Sequence, residues 1–295
     1  MQGKAAQLRE LFDRQGIIRL VGAHNALGAK LAERAGFHGV WSSGLEISTS
    51  YVVPDASILT MSEYLAAAQS MAEAVTIPVV ADCDTGYGNS TNVIHMVRKF
   101  EAAGVAAVSI EDKLFPKINS LVSGRQALAA MPEFVGKIMA AKNAQRDSDF
   151  MVIARVEALV AGCEQEEALR RARAYVDAGA DAILIHNGSR SPQPIIDFVQ
   201  AWEFSAPLVV VPTTYYTITA QDLEELGVKM VIYANHGLRA SINAMLDVYR
   251  EILETGSTAS IEDRIAPLEI VFDIQGMPQL RRDEENYLRS GEPPT

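Results

Sequence analysis

Short runs of Val, Ile, Leu and Ala return along the chain at intervals that leave room for one helix between each pair. They are IIRLVGAH (17–24), GVWSSG (39–44), PVVADCD (78–84), AAVSIED (106–112), MVIARVEA (151–158), AILIHN (182–187), PLVVVPT (207–213) and MVIYANH (230–236). The stretches between them, such as NALGAKLAERAGF, NVIHMVRKFEAAG, EEALRRARAYVDAGA and TAQDLEELG, carry apolar residues at helical spacing. Four helical stretches close in AGF, AGV, AGA or LGV, and a glycine just past the last apolar turn is a helix stop. Runs that are apolar throughout, rather than alternating, predict parallel strands covered on both faces. Eight such βα units in 295 residues predict an α/β fold, a closed (β/α)8 barrel of the TIM type, with a doubly wound open sheet as the competing arrangement.

Beyond the eighth strand, LRASINAMLDVYREILETG (238–256) reads as the eighth helix, IEDRIAPLEIVFDIQG (261–276) as one more, and the polar tail ending in SGEPPT as frayed. No linker-like stretch interrupts the body, so residues 1–295 are expected to form one barrel domain, with 257–295 as a helical extension and tail. The eighth helix carries Leu238, Ile242, Met245, Leu246, Val248, Ile252 and Leu253 on more than one side, more than packing on a single barrel would bury.

Composition narrows the function classes. Hydrophobic residues make up 48% and charged residues 21%, an ordinary globular mixture. A net charge of −11 argues against nucleic acid or an anionic membrane as partner, while leaving room for a local basic pocket that binds a small anion. The only cysteines are Cys83 and Cys163, the opening MQGKAAQLRE has no apolar signal region, and no apolar run reaches the roughly 20 residues that span a bilayer. A reducing, cytoplasmic setting is expected.

In a barrel of this type the active site lies at the carboxyl ends of the strands. The polar residues that end the runs therefore form one collection: His24, Ser43 with Gly44, Asp82, Asp84, Glu111, Arg155, Glu157, His186, Thr213, Asn235 and His236. Strand alternation puts Asp82 and Asp84 on one face with Cys83 opposite. With Glu111 they offer three hard oxygen ligands and few nearby His or Cys, a set suited to Mg2+ or Mn2+ rather than zinc. Arg155 either pairs with Glu157 two residues on, or turns its planar fork to a carboxylate or phosphoryl group. The turn after Trp41, at Ser43, Gly44 and Leu45, would leave backbone N–H groups free for an oxyanion. Asp55 either caps the helix beginning near Ser62 or reaches over the site as an acid.

At WSSG (Trp41), DCDTGYGN (Asp82), EDKLFPKINS (Glu111), ARVEA (Ala154) and ANH (Ala234) the chain resembles the phosphoenolpyruvate mutase branch of the isocitrate lyase superfamily, over roughly residues 15 to 255. The resemblance implies an isomerase that moves a phosphoryl group between the enol oxygen of phosphoenolpyruvate and C3 of phosphonopyruvate. It implies Mg2+ at Asp82, with Asp84 and Glu111 acting through water, and the pyruvyl oxygen at Ser43 and Gly44. It puts the phosphoryl group at Arg155, His186 and Asn119, Lys117 and Asn119 on a loop that closes over the substrate, and Asp55 beside the migrating group. Related barrels exchange their eighth helix between subunits, so a homotetramer of helix-swapped dimers is expected.

Three rivals share the resemblance. Isocitrate and 2-methylisocitrate lyases carry a catalytic Cys in a K-K/R-C-G-H type loop, where this chain reads KLFPKINS. Phosphonopyruvate hydrolase binds the same substrate but usually has Thr at the positions of Leu114 and Asn119. The Thr that usually precedes the Asn in the mutase branch is Ile118 here. A barrel that only binds a phosphonate or a partner protein would lack Mg2+-dependent turnover.

Overall fold

The computed structural model describes residues 3–122, 124 and 126–288, so the tail ending in SGEPPT lies outside the described residues. Eight strands, β1 (Ile18–Ala23), β2 (Gly39–Ser42), β3 (Val79–Asp82), β4 (Ala107–Glu111), β5 (Met151–Val156), β6 (Ala182–Ile185), β7 (Leu208–Val210) and β8 (Met230–Tyr233), follow one another around a closed parallel barrel. β8 pairs back onto β1, with Ile18 beside Met230, which rules out the open sheet. Each strand stops one to three residues before its apolar run does, because the polar residues that follow turn away into loops.

Alternation sorts the strand side chains into two layers. Leu20, Trp41, Val80, Ala107, Ile153, Leu184, Val209 and Ile232 fill the barrel interior, with Leu8 of the helix Lys4–Asp13 completing the same cluster. Val40, Val79, Ala81, Val108, Val152, Ile183, Val210 and Val231 face outward against the surrounding helices. The helices end as the glycines foretold: Gly36, Gly104, Gly179 and Gly227 all take positive φ, which costs a glycine little.

The chain sorts into two units, Met1–Leu238 and Arg239–Thr295, so the eighth helix, His236–Thr255, falls mostly with the extension and not with the barrel. No residue of that helix is buried. The expected single helix over 261–276 is broken instead. A 3-10 turn, Glu262–Arg264, ends at Ile265 in extended backbone, Pro267 restarts the chain, and the helices Leu268–Ile274 and Met277–Tyr287 follow. Proline removes a backbone donor and disfavours helix at the residue before it.

Candidate active site

The inward parity of each strand continues into its loop, and that continuation assembles the site. Trp41 and Val80 face inward, so Ser43 and Asp82 do too; Ala107 leads to Glu111, Ile153 to Arg155, Leu184 to His186, Val209 to Val211 and Ile232 to Ala234. At this end of the barrel a cavity of about 50 Å3 is walled by Trp41, Ser43, Leu45, Asp55, Asp82, Lys117, Asn119, Arg155 and His186. Thr213 and Asn235 complete it, with Ser120, Leu121, Val211 and Ala234. Gly44, Asp84 and Glu111 stand just behind the wall. A Cβ on Gly44 would sit 3.2 Å from one oxygen of Asp82 and 3.5 Å from one of Asp84, so both carboxylates reach the same spot. The pleat does not achieve this, since β3 ends at Asp82. Asp84 adopts a left-handed backbone (φ 48°), rare for a residue with a side chain, and the turn brings its carboxylate back.

The acids are poorly compensated. Asp84 and Glu111 are buried, and Oδ2 of Asp84 and Oε1 of Glu111 have no hydrogen-bond partner. Burial pushes the Asp84 carboxyl up to about 6, with Lys117 opposing and Asp82 and Asp55 adding to the rise. Burial likewise pushes Glu111 up to about 8, against the pull of Arg155. Five carboxylates (Asp55, Asp82, Asp84, Glu111, Glu157) face three cations (Lys113, Lys117, Arg155) across ion pairs of 2.5 to 4.0 Å. Fully ionised, the five acids exceed the three cations by two negative charges, the charge of one divalent cation; without a cation, the raised Asp84 and Glu111 carboxyls take up protons instead. Among the described residues no three His, Cys, Asp or Glu side chains converge closely enough to grip an ion between them. Mg2+ commonly keeps several waters and takes only one or two carboxylates directly, so a single direct ligand with two water-bridged ones fits this donor set.

Arg155 pairs with Glu157, as the first of its two sequence readings has it, and also borders the cavity. Its Nε lies 2.5 Å from Glu157 Oε1 and 3.3 Å from Glu111 Oε2, while its fork lines the cavity. Glu157 is the hub: its carboxylate also takes a hydrogen bond from Ser120 Oγ at 2.8 Å and lies 2.9 Å from His186 Nδ1. Burial alone would raise Glu157, yet Arg155 and His186 hold it well below the usual carboxylate range. Burial lowers His186, opposed by the neighbouring charge of Glu157, and so favours the neutral imidazole. The sequence places Glu157 among the strand-end polar residues and as a partner for Arg155, but does not show its contacts to Ser120 and His186. Nor does it show the brace behind: Asp112 Oδ1 accepts the Glu157 N–H at 2.8 Å, and Asp112 Oδ2 accepts from Tyr175 OH at 2.7 Å and Arg171 at 3.0 Å. A signal existed, because Ala168, Arg171, Ala172 and Tyr175 form the buried face of the helix Gln165–Asp177. An arginine on such a face implies a buried acid.

The loop after β4 lies closed over the cavity. Lys117 Nζ bridges Asp55 (2.5 Å) and Asp84 (3.2 Å), and Asn119 donates its amide to Asp55 Oδ2 (2.6 Å) and its backbone N–H to Asp55 O (3.0 Å). Asp55 is therefore no helix cap; Thr60 and Glu63 form the capping box of the helix Met61–Ala74. Ile118 turns outward, 40% exposed, so the loss of a Thr there removes no polar group from the cavity.

Some candidates fall elsewhere. The Ser43 N–H is not free, since it donates to Ala23 O at 3.0 Å as β1–β2 pairing runs one residue past Ser42. Ser43 instead caps the helix Gly44–Ser50, its Oγ accepting the Glu46 N–H, which leaves its hydroxyl proton to donate into the cavity. The first-turn amides of Gly44 and Leu45 are the ones without intrahelical partners. His24 bonds Glu46 at 2.9 Å, and His236 packs edge-on against Tyr233; neither lines the cavity.

The family model for phosphoenolpyruvate phosphomutase matches residues 8–253. The chain is 46% identical to the phosphonopyruvate hydrolase of Variovorax sp. (strain Pal2), over 97% of this chain and 99% of that protein. The crystal structure of a phosphoenolpyruvate phosphomutase from Streptomyces platensis subsp. rosaceus superimposes with a TM-score of 0.96 at 63% identity, covering 98% of this chain and 100% of that one. A phosphonopyruvate hydrolase in complex with oxalate and Mg2+ superimposes with a TM-score of 0.93 at 45% identity, over 98% and 100%. The family model spans most of the barrel and these relatives match from end to end, so the chain belongs to the phosphoenolpyruvate phosphomutase family.

Proposed function

We propose that this protein is a phosphoenolpyruvate mutase that interconverts phosphoenolpyruvate and 3-phosphonopyruvate. The observation that carries the reading is the closed loop, with Asn119 and Lys117 drawn onto Asp55 above Arg155 and His186. In the direction from phosphonopyruvate, the C3–P bond breaks with its electron pair passing into a pyruvate enolate, and the enolate oxygen then forms the O–P bond. The phosphoryl group in flight is metaphosphate-like and must not meet water. Arg155, Lys117 and Asn119 supply donors to its oxygens. The added phosphoryl charge favours protonation of His186, which then donates Nδ1–H to Glu157 and Nε2–H to the substrate. The Ser43 hydroxyl and the Gly44 and Leu45 amides receive the enolate oxygen. Asp82, with Asp84 and Glu111 beside it, would hold Mg2+, which would supply Lewis-acid stabilisation of the enolate charge. Phosphorus NMR of products from phosphonopyruvate tests the assignment.

The second reading is phosphonopyruvate hydrolysis, favoured by the identity of 46% to a hydrolase. The same site would serve if water reached the phosphoryl group. A thiol-dependent C–C lyase is not supported: Cys83 packs in the outer layer and Cys163 does not line the cavity.

The raised carboxyls give a pH prediction. In the metal-free protein Asp84 and Glu111 hold protons on folding up to about 6 and about 8, so their contribution to stability falls as pH rises through those values. Metal binding displaces the protons and becomes tighter as pH rises. Mg2+ is therefore expected to raise Tm more at pH 8 than at pH 6; equal increments in calorimetry would contradict this.

Assembly is a further part of the proposal. On the helix His236–Thr255, Met245, Leu246, Tyr249 and Leu253 are 46 to 86% exposed. A homotetramer of dimers that exchange this helix would cover them. Light scattering at micromolar concentration is expected to give four times the chain mass, and a monomeric mass would refute it.

A further inference from the structure

The loop that closes the cavity has a backbone-paired stem and a tip held by side chains. At the stem, Lys113 bridges Leu128 and the Leu114 N–H donates to Ala127 O at 2.9 Å, so backbone pairing anchors both ends. Three of the side chains that hold the tip, Lys117, Asn119 and Ser120, bond to Asp55 in the cavity wall and to Asp84 and Glu157 behind it. Those bonds compete with any substrate that engages the same groups. Lys113 differs. It does not line the cavity, its side chain is 2% exposed, and its ammonium donates to the Ile118 carbonyl at 2.8 Å and to Ser120 Oγ at 2.7 Å. Both acceptors belong to the loop, on either side of Asn119. Glu157 Oε2, 3.7 Å away, is the countercharge that keeps the buried ammonium from being isolated.

We propose that Lys113 is a positioning residue, an internal clamp that fixes the shape of the loop so that Lys117 and Asn119 stay over the reacting atoms while their own bonds to the wall are exchanged for bonds to substrate. The clamp acts on the loop's backbone and hydroxyl, so its strength does not depend on what fills the cavity. Ser120 passes the constraint on, because the same Oγ that accepts from Lys113 donates to Glu157 and lies 3.2 Å from Arg155. This assignment rests on the mutase reading for the identity of the reacting atoms, but the clamp itself is separable from it.

The test is Lys113→Met in the full-length, Mg2+-loaded enzyme, followed by hydrogen exchange over residues 115–122 and by phosphorus NMR of products from phosphonopyruvate. Backbone amides of the loop are expected to exchange at least about 10-fold faster, the order set by losing one or two hydrogen bonds. The ratio of inorganic phosphate to phosphoenolpyruvate is expected to rise, while the Mg2+ concentration for half-saturation stays within about two-fold, because no group at Asp82 is touched. Should the methionine variant not fold, Ser120→Ala removes one of the two clamp acceptors without removing a buried charge, and the same two changes are expected in smaller degree. Unchanged loop exchange overturns the clamp, whichever reaction the parent catalyses. Faster exchange with an unchanged product ratio overturns the link between clamp and reaction. A parent that yields only phosphate would overturn the mutase reading instead, and the exchange result alone would then decide the clamp.

Discussion

Asp82→Ala is expected to abolish measurable turnover, a loss of about 10³-fold or more, because the several kcal/mol that a metal contributes to a developing enolate would go with the direct ligand proposed for it. Asp82 ends β3, and its carboxylate meets both the Gly44 turn and Arg155, 4.0 Å from Nη1. Asp84→Ala should behave differently. Its carboxylate stands behind the cavity wall and pairs with Lys117, so its loss should weaken Mg2+ affinity by about 10 to 100-fold, as for an outer-shell partner, and leave activity recoverable at high Mg2+. Calorimetric titration of both variants with Mg2+ separates the two roles. Equal affinity in Asp82→Ala and the parent would remove Asp82 from the metal site.

Asn119→Ala carries the second large effect, at least about 10²-fold in isomerisation, the order for losing one positioned donor to developing charge. Alanine keeps the backbone bond from residue 119 to Asp55 O, so the loop retains that anchor and loses the amide that now donates to Asp55 Oδ2. The acids proposed to hold the metal are untouched, and Mg2+ affinity should stay near the parental value. Parental isomerisation in this variant would show that the amide has no role in the reaction.

Much of this arrangement was legible in the sequence because barrel parity is simple. A side chain that points inward on a strand predicts that the residue two further on does so too, and this carried Asp82, Glu111, Arg155 and His186 to one place. What the sequence hid were contacts between segments far apart along the chain. Nothing local told that Asp55 would accept from Lys117 and Asn119, or that Asp112, facing outward, would hold the Glu157 N–H in place. The free-amide reading of Ser43 failed because pairing between β1 and β2 persisted into the turn. The short helix Gly44–Ser50 escaped notice since GLEISTS has too few apolar positions to show a period. The split at Pro267 was written in the residue itself and was outweighed by the apolar spacing around it.

The reaction assigned to the site stands or falls on where the phosphoryl group goes. Purified enzyme with Mg2+ and phosphonopyruvate, followed by phosphorus NMR, reports this directly. The account predicts that the phosphonate resonance gives way to that of phosphoenolpyruvate, with inorganic phosphate a minor product and no conversion when the metal is chelated. Inorganic phosphate as the main product, appearing with pyruvate and without phosphoenolpyruvate, would contradict it and assign the site to hydrolysis.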